Sequence, residues 1–255
     1  MHITAVILAK NEEKKIARAI GSVSFCDEII VVDDYSADKT ATLAESLGAH
    51  VYPYKVGENF AQARNYAMEQ ARYDWVFFLD ADEVVSDALK EEIQSNVSTL
   101  ERSHVPTSTI AFKIPRRDFF WGTELRYGET WQARRKGIIR LVKKGDGAWI
   151  GRVHEVFARF GPLKKLSGFI NHYPHETVSG FIHDVNIYSS LRAEELYESR
   201  RTVTAVEMVC VPFAKFFYTY CILLGFLDGP AGFVYSFIMA FHSFLVRSKT
   251  LTLYD

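Results

Sequence analysis

The stretch Trp75-Val76-Phe77-Phe78-Leu79-Asp80-Ala81-Asp82-Glu83 joins five apolar residues directly to a group of carboxylates. A continuous apolar run is typical of a strand that is covered on both faces of a parallel sheet. Residues two positions apart in an extended chain point to the same side, so we expect the Asp80 and Asp82 carboxylates to face one point. Such a pair suits a divalent cation bound together with substrate phosphates. The alternative is a capped turn before the next helix.

The first half of the chain alternates apolar strand patterns with helical patterns. The predicted strands are Ile3–Ala9, Glu28–Asp33, His50–Tyr54 and Trp75–Leu79. The predicted helices are Glu12–Val23, a second that Ser36 caps and that ends near Leu47, a third from Asn59 to Arg72, and Asp87–Val97. This alternation predicts βαβ units, a parallel sheet and an α/β fold that binds its ligand at the carboxyl ends of the strands.

The pattern changes after Ser103, where no helix of normal length is predicted between Val105 and Tyr173. The strand patterns here are Thr109–Pro115, Gly137–Lys143 and Arg152–Phe160. They predict an antiparallel extension that covers one side of the site. Ile182–Val206 follows as a strongly charged helix.

The C-terminal region is unusually apolar, since Lys215 and Asp228 are the only charged residues between Val209 and Val246. Asp228-Gly229-Pro230 separates two apolar runs, Phe216–Leu227 and Gly232–Phe241. Each run is shorter than the roughly 20 residues that a spanning helix needs, which argues against a full membrane span. Crowded aromatics and basic flanks favour a helical hairpin that lies in the membrane interface. The alternative is a hairpin packed on the domain or in a homo-oligomer interface.

The overall composition excludes several classes of protein. The chain has 255 residues, 48% of them hydrophobic, and a formal net charge of -1. This excludes a wholly disordered chain and argues against a nucleic-acid binder. The three cysteines, Cys26, Cys210 and Cys221, are too few for a disulfide framework and fit no zinc spacing. Ile3–Ala9 is too short for the apolar core of an export signal, so we expect a reduced, cytosol-facing protein.

Polar residues also follow the first two predicted strands. Asp33-Asp34 begins an acidic turn in which repulsion between the carboxylates favours a ligand role for Asp34. Asn11 and Glu12 follow the first strand, where they either line a site or begin a helix. The glycine fingerprints of dinucleotide sites and P-loops are absent from this turn. Arg64 offers a fork for a phosphate, with a solvated helix face as its alternative.

Two histidines and a glutamate in the second half are further candidates. Adjacent residues on a strand point to opposite faces, so at most one of His154 and Glu155 is expected in a shared site. A glutamate can act as a general base and a histidine as a metal ligand. His172 is another candidate ligand, with a core or surface histidine as its alternative.

Taken together, these motifs resemble the family 2 glycosyltransferases, which are inverting enzymes of the GT-A fold. The matching segments occur in order along the chain. They are Ala9-Lys10-Asn11-Glu12, the run from Val31 to Thr40, Ala63-Arg64-Asn65 and Leu79-Asp80-Ala81-Asp82-Glu83. The resemblance implies a Rossmann-like sheet that binds a nucleotide-sugar, with the apolar helical hairpin on its C-terminal side.

The resemblance also implies a role for each candidate residue. Asn11 and Glu12 would line the nucleotide pocket, Asp34 would hydrogen-bond the base, commonly uracil, and Arg64 would approach the diphosphate. Asp80 would hold the ribose.

Other implied roles concern the metal and the chemistry. Asp80 and Asp82 would hold a Mg²⁺ or Mn²⁺ ion that bridges the diphosphate, with His172 as an additional ligand. Glu155 would deprotonate the acceptor hydroxyl, and His154 is the rival for that role or a neighbour of the metal.

A narrower likeness, to lipopolysaccharide core glucosyltransferases, rests on Arg152-Val153-His154-Glu155, Asn171-His172-Tyr173 and the run from Gly225 to Phe233. Their usual Trp-x-Pro-Asp segment is here Trp131-Gln132-Ala133-Arg134, so their acceptor is not carried over. The resemblance implies a glycosyltransferase domain over residues 1–175 and a helical region over residues 176–255.

The predicted activity is inverting transfer from a nucleotide-diphosphate sugar, such as a UDP-sugar, to a lipid-linked or surface glycan. The predicted location is peripheral, on the cytoplasmic face of the inner membrane. A nucleotidyltransferase and an inactive membrane-docked scaffold are the alternatives.

Overall fold

The computed structural model describes residues 2–57, 59–102, 111–151, 155–159 and 161–253. The chain divides into two compact units. The first unit comprises Met1–Arg116 and Arg135–His172, and the second comprises Arg117–Arg134 and Tyr173–Asp255. All the described candidate site residues belong to the first unit.

The element order alternates strands and helices at first and ends in three long helices. The helices are α1 (Ile16–Ser22), α2 (Thr40–Ser46), α3 (Phe60–Gln70), α4 (Asp87–Arg102), α5 (Trp131–Lys136), α6 (Val178–Glu198), α7 (Ala205–Phe217) and α8 (Gly229–Thr252). The strands are β1 (Ile3–Ala9), β2 (Glu28–Asp33), β3 (His50–Pro53), β4 (Trp75–Asp80), β5 (Glu83–Val85), β6 (Ala111–Ile114), β7 (Arg116–Phe120), β8 (Thr123–Leu125), β9 (Ile138–Lys143), β10 (Gly147–Ile150), β11 (Val156–Arg159), β12 (Leu163–Lys165) and β13 (Ile170–His172).

A seven-stranded sheet in the order β12-β6-β9-β4-β1-β2-β3 forms the centre of the first unit. Strand β1 pairs in parallel with both β2 and β4, and β9 pairs antiparallel with β4 and β6. Ala9 lies opposite Asp33, and Leu8 lies opposite Asp80. The carboxyl ends of β1, β2 and β4 therefore meet at one edge of the sheet. The predicted α/β fold with a largely parallel sheet is confirmed.

The apolar strands are continuous because both faces of this sheet are covered. Ile7 and Phe77 pack in one buried cluster with Ile16 of α1. Val6 and Phe78 pack in the other buried cluster. Both phenylalanines are fully buried. Since every residue of β1 and β4 up to Leu79 is buried, neither strand shows the alternation of a one-sided sheet.

Two helix starts differ from the predicted ones. The predicted cap residue Ser36 accepts a hydrogen bond from the Asn11 backbone N–H at 2.9 Å, and α2 begins at Thr40. Helix α1 begins at Ile16 rather than at Glu12. The predicted cap at Asn59 is confirmed, because its side chain accepts from the Gln62 N–H at 3.0 Å.

In the second unit, β7 and β8 form an antiparallel hairpin, and the predicted helix Ile182–Val206 is in fact two helices. Helix α6 ends at Glu198, and a capping box between Thr204 and Glu207 begins α7. This reciprocal pair of hydrogen bonds satisfies backbone donors at a new helix start, which explains the break.

The C-terminal helices extend beyond the two apolar runs from which they were predicted. Ala205–Ile222 and Gly225–Thr252 are each long and apolar enough to cross a membrane, by length and composition alone. The prediction that each half is too short was wrong. Pro230 lies in the first turn of α8, where no N–H is required, so Asp228-Gly229-Pro230 begins a helix that then continues past Arg247 and Lys249.

A buried carboxylate holds the segment before α8 in place. Asp228 is 9% exposed and accepts hydrogen bonds from the backbone N–H groups of Arg126 and Tyr127 at 3.0–3.1 Å. The Gly128 N–H donates to the Leu223 carbonyl oxygen at 2.9 Å. These bonds tie residues 126–128 to the turn between α7 and α8.

Candidate functional site

Asp80, the last residue of β4, accepts hydrogen bonds from two buried arginines. Arg64 of α3 donates through Nη2 to Oδ1 at 2.8 Å. Arg140 of β9 donates through Nη2 to Oδ2 at 2.6 Å. Burial alone would raise the pKa of Asp80, but the guanidinium groups of Arg140 and Arg64 hold it well below its ordinary range. The Asp80 carboxylate is therefore charged and oriented by protein groups alone.

Arg64 also joins Asp80 to the candidate base. Its Nε donates to Glu155 Oε1 at 2.8 Å. The guanidinium carbon lies 5.1 Å from the centre of the Trp149 ring. Arg64 is 3% exposed, so the alternative of a solvated helix face is excluded. Its Nη1 is buried without a partner among the described residues, and a phosphate oxygen is the type of acceptor that it lacks.

The residue after Arg64 holds this side of the site together. Asn65 accepts from the Trp149 N–H at 2.8 Å and donates to the Trp149 carbonyl oxygen at 2.9 Å. The pair of bonds fixes strand β10 beside α3. The Trp149 ring thereby stays against the Arg64 guanidinium, which restricts the orientation of that side chain.

Glu83 and Arg140 belong to the same buried cluster and were not among the predicted site residues. Glu83 is fully buried and accepts from Arg140 Nη2 at 2.8 Å and from the Asp80 N–H at 3.0 Å. Burial raises the pKa of Glu83, and Arg140 offsets only part of that effect. Burial alone would lower the pKa of Arg140, but Asp80 and Glu83 raise it. An arginine in the apolar run Ile138–Lys143 was the available sequence signal.

Asp82 was predicted to point to the same side as Asp80, on the assumption that the chain is extended through both residues. The chain is not extended there. Ala81 and Asp82 form a turn between β4 and β5, so strand alternation does not apply to them. Asp82 Oδ2 lies 3.4 Å from His172 Nε2 instead. Burial would raise the pKa of Asp82, but His172 lowers it overall. The antiparallel pairing of β13 with β5 brings His172 to this position, opposite Glu83.

The donor set fits a divalent ion in part. Across the described ranges, no three or more His, Cys, Asp and Glu side chains are grouped as metal ligands. Asp82 and His172 offer one oxygen and one nitrogen donor side by side. Magnesium is commonly bound by one or two carboxylates together with substrate phosphates, and the Asp82 carboxylate is a ligand of that type, so metal binding by this pair stays a prediction. Both Asp80 oxygens accept from guanidinium groups here, and its role as a metal ligand stays a prediction.

The loops after β1 and β2 are tied to each other. Asn11 has a left-handed backbone, with a φ of 55°, and its side chain accepts from the Ala37 N–H at 2.8 Å. Asp34 accepts from Lys10 Nζ at 2.8 Å and from the Val56 N–H at 3.1 Å. These bonds shape the sheet edge beside Asp80.

Glu12 pairs with a neighbouring lysine in this region. Its carboxylate lies 3.3 Å from Lys15 Nζ, and its backbone N–H donates to Thr40 Oγ1 at 2.7 Å. Direct ligand roles for Asn11, Glu12 and Asp34 stay predictions.

One predicted catalytic residue, His154, lies outside the described residues, as do Arg152 and Val153. Glu155 is described, with its side chain 14% exposed. The structure therefore brings Arg64, Asp80 and Glu155 into one hydrogen-bonded chain, with the Asp82–His172 pair on the adjoining turn and strand.

Comparison with known proteins finds glycosyltransferases among the relatives of this chain. LpsC of Rhizobium meliloti, a lipopolysaccharide core biosynthesis glycosyltransferase, is 28% identical over 253 residues, which cover 93% of this chain and 90% of LpsC. An uncharacterised glycosyltransferase of Rickettsia typhi is 30% identical, over 97% of this chain and 86% of its own length. The crystal structure of Staphylococcus aureus TarS in complex with UDP-GlcNAc matches with a TM-score of 0.48 and 16% identity, covering 99% of this chain and 84% of that one.

The family match covers the whole sheet and the described site up to strand β12. It runs over residues 4–167 and carries the description "Glycosyl transferase family 2". The family predicted from the four ordered motifs is thus confirmed, together with its GT-A type of fold. This chain belongs to glycosyl transferase family 2.

Proposed function

We propose that this protein transfers a sugar, with inversion at the anomeric carbon, from a UDP-sugar to a membrane-associated glycan or glycolipid of the cell envelope. The observation that carries the proposal is the buried chain of hydrogen bonds from Asp80 through Arg64 to Glu155. It joins a carboxylate at the donor edge of the sheet to a second carboxylate suited to base catalysis. The likeness to LpsC supports an acceptor in lipopolysaccharide core synthesis.

The donor would bind at the edge where β1, β2 and β4 end. Asn11, Glu12 and Asp34 would surround the nucleotide, with Asp34 on the base. Asp80 would hold the ribose, and Arg64 would donate to the diphosphate through Nη1, which has no partner among the described residues. Because burial and paired charges already fix Asp80 and Arg64, little reorganisation is needed when the donor arrives.

Asp82 and His172 would hold a Mg²⁺ or Mn²⁺ ion, which when bound neutralises charge on the leaving diphosphate. Their separation of 3.4 Å leaves both side chains on one side of the β4–β5 turn, within reach of a shared ion. Asp80, whose oxygens also accept from the guanidinium groups of Arg64 and Arg140, would hold the ribose and act as a further ligand of the ion.

Glu155 would act as the general base. Its carboxylate takes the proton of the acceptor hydroxyl while that oxygen attacks the anomeric carbon, and the bond from this carbon to the diphosphate oxygen breaks. The products are the glycosylated acceptor and the nucleoside diphosphate. Arg64 positions Glu155 through a bond to Oε1, and Oε2, which has no hydrogen bond from the residues that the structure describes, would receive the proton.

Replacement of Asp82 by alanine tests the donor site. We expect Asp82→Ala to abolish donor hydrolysis and transfer while the protein keeps its fold, as judged by circular dichroism. Asp74→Ala is the matched control, since Asp74 is an exposed aspartate just before the other end of β4. Unchanged turnover by Asp82→Ala would contradict the proposal.

Calorimetry with UDP and Mn²⁺ separates the enzyme from an inactive scaffold. The enzyme is expected to bind UDP more tightly in the presence of Mn²⁺, and Asp82→Ala is expected to lose that dependence. If the wild-type protein binds no nucleotide diphosphate, the scaffold alternative holds.

Replacement of Glu155 by glutamine tests the base. Glu155→Gln is expected to retain UDP binding, because glutamine still accepts from Arg64, and to lose transfer by about 10²–10⁴-fold. A variant with normal transfer would assign the base to another residue, such as His154.

We further propose that the protein is peripheral on the cytoplasmic face of the inner membrane. The apolar C-terminal helices support this location, and so does an acceptor that is attached to lipid. Fractionation of cells should place part of the full chain with the membranes. Removal of the residues from Val209 onward should release it, and a full-length chain recovered entirely in the soluble fraction would contradict this location.

A further inference from the structure

Helix α7 has its polarity reversed relative to a helix of a water-soluble protein. Its exposed residues are all apolar, namely Ala205, Val206, Val209, Cys210, Phe213, Ala214 and Phe217. Phe213 is 74% exposed and Phe217 is 60% exposed. Their spacing of three and four residues places them on one face of the helix. Both of its charged residues are half-buried: Glu207 lies at an edge of that face, and Lys215 lies on the opposite side, 3.0 Å from Glu129.

Helix α8 shows the same reversal beside it. Phe233, Phe237 and Phe241 recur every four residues and are exposed, whereas Gly232, Ser236 and Ser243 are among its buried residues. Exposed phenylalanines with buried serines are the opposite of what water selects.

The exposed faces of α7 and α8 form one surface. The Phe216 ring of α7 lies 5.8 Å from the Phe233 ring and 6.5 Å from the Phe237 ring, centre to centre. Contiguous apolar surfaces of this kind mark contact with a membrane or a protein. We call the exposed residues of α7 together with Phe233, Phe237 and Phe241 the apolar face.

Helix α8 packs on α6, and α6 exposes charged residues to solvent. Helix α6 exposes Arg192, Glu194 and Glu198. Lys249 of α8 donates to α6 through bonds to Asn186 and to neighbouring serines, at 2.6–2.9 Å. If α8 crossed a bilayer, it would carry the charged residues of α6 into hydrocarbon, at a cost of several kcal/mol. The charged residues of α6 lie on one side of α8 and the apolar face lies on the other. This arrangement suits a hairpin that lies on the surface of a bilayer.

Basic residues border one end of the apolar face. Arg200 and Arg201 are exposed just before α7. Arg201 lies 4.0 Å from Glu207, and both of these residues act electrostatically on Arg247 near the end of α8. The three arginines outnumber Glu207 and the exposed Glu198 at this end, so the border carries a net positive charge. Anionic headgroups are the complementary surface.

We propose that the apolar face lies in the plane of an anionic bilayer, with α7 and the phenylalanines of α8 among the acyl chains and α6 in water. Arg200, Arg201 and Arg247 contact the headgroups. This inference deepens the peripheral location given above, and its readout is lipid binding, which is independent of sugar transfer. It identifies the lipid surface, rather than a second copy of the chain, as the occupant of the apolar face.

Vesicle flotation tests the apolar face. The full-length protein should float with vesicles of phosphatidylglycerol and phosphatidylcholine, and less with phosphatidylcholine alone. Phe213→Glu with Phe217→Glu should reduce bound protein about tenfold or more, with unchanged circular dichroism and UDP binding. The matched control is Ile187→Glu on α6, where an isoleucine that is 45% exposed should be replaceable without loss. Equal loss in both variants would overturn the proposal.

The arginine border has a test of its own. Arg200→Gln with Arg201→Gln should weaken flotation with anionic vesicles and leave binding to phosphatidylcholine unchanged, because only the electrostatic attraction is removed. Flotation that is insensitive to both salt and these substitutions would exclude the anionic surface.

Depth measurements distinguish an in-plane face from a spanning hairpin. One fluorophore is placed on the exposed Cys210 after Cys26→Ala and Cys221→Ala, and another at Phe237→Cys with Cys210→Ala added. Lipids that carry quenchers at different acyl positions should report the same shallow depth at both sites. A spanning hairpin would place both sites about 14 Å from the arginine end and deep among the acyl chains, since Cys210 and Phe237 lie nine and ten residues from Arg201 and Arg247.

A second copy of the chain is the competing occupant. Sedimentation of the purified protein without lipid would then show a dimer that Phe213→Glu with Phe217→Glu dissociates. That result would overturn the proposal, whereas a monomer that binds vesicles supports it.

Discussion

Replacement of Arg140 by methionine should destabilise the protein more than any surface charge change. Arg140 is 4% exposed and donates to Asp80 at 2.6 Å and to Glu83 at 2.8 Å. Methionine fills much of the volume but removes both bonds. Asp80 keeps Arg64 as a partner, whereas the fully buried Glu83 loses its nearer guanidinium and keeps the more distant one of Arg116, at 3.8 Å.

The expected loss follows from the weaker pairing of the buried Glu83 carboxylate. Removal of one partner from a buried ion pair costs about 3–5 kcal/mol in the free energy of unfolding. A midpoint shift of about 2–4 °C per kcal/mol for a chain of this size gives a fall in Tm of about 10 °C. Arg140→Met with Glu83→Gln should recover part of the loss, because a neutral amide is less costly to bury than an unpaired charge.

The assay is thermal unfolding followed by circular dichroism, with Arg192→Met as the matched control. Arg192 pairs with Glu195 at the same distance, 2.6 Å, but its side chain is 47% exposed. Surface pairs contribute about 0–1 kcal/mol, so the control should change Tm by a few degrees at most. If Arg140→Met melts no earlier than Arg192→Met, the cluster does not stabilise the fold and the reasoning is refuted.

Three further outcomes are expected. Burial would raise the pKa of Glu124, but the hydrogen bond from Arg134 lowers it from 4.5. The charged Glu124 therefore stabilises the folded state, and Glu124→Gln should lower Tm above pH 4.5. The difference in Tm between the variant and the wild type should shrink at lower pH. A constant difference across a pH series of melting curves would contradict this. Asp228→Ala should cost about 2 kcal/mol and speed proteolysis within residues 117–134, because two backbone N–H groups lose their acceptor; an unchanged digestion rate would argue otherwise. Cys210 should react rapidly with maleimide, whereas Cys26 should react only after unfolding, because burial raises the pKa of its thiol. Mass spectrometry of the labelled peptides checks this, and early labelling of Cys26 would contradict it.

Local sequence patterns were sufficient to predict the bounds of strands that are buried on both faces of the sheet. The bounds of β1 and β2 were predicted correctly because every position in an apolar run that is covered on both faces has the same requirement. The parallel sheet and the meeting of strand ends at Asp33 and Asp80 followed from the alternation of strands and helices. The cap at Asn59 followed from its local hydrogen bond to Gln62.

Local patterns failed where a distant partner competes for a side chain. Ser36 was predicted to cap α2, but its hydroxyl accepts from Asn11, which is 25 residues earlier. Asp82 was predicted from extended geometry, but the chain turns at Ala81 and the nearby imidazole belongs to His172 on another strand. Neither outcome is encoded in the local spacing of residues.

The sequence by itself determined the family, the α/β sheet and the carboxylates at the strand ends, since these depend on residue types and on short-range periodicity. Tertiary structure alone decided that Arg64 bridges Asp80 and Glu155, residues 16 and 91 positions away from it. It also decided that Arg140 belongs to the site and that the phenylalanines of α7 and α8 face outward. A contact between residues that are distant in the sequence depends on how the helices and strands pack. Hydrophobic periodicity predicts an apolar stripe on a helix, but it does not indicate whether protein or solvent lies against that stripe.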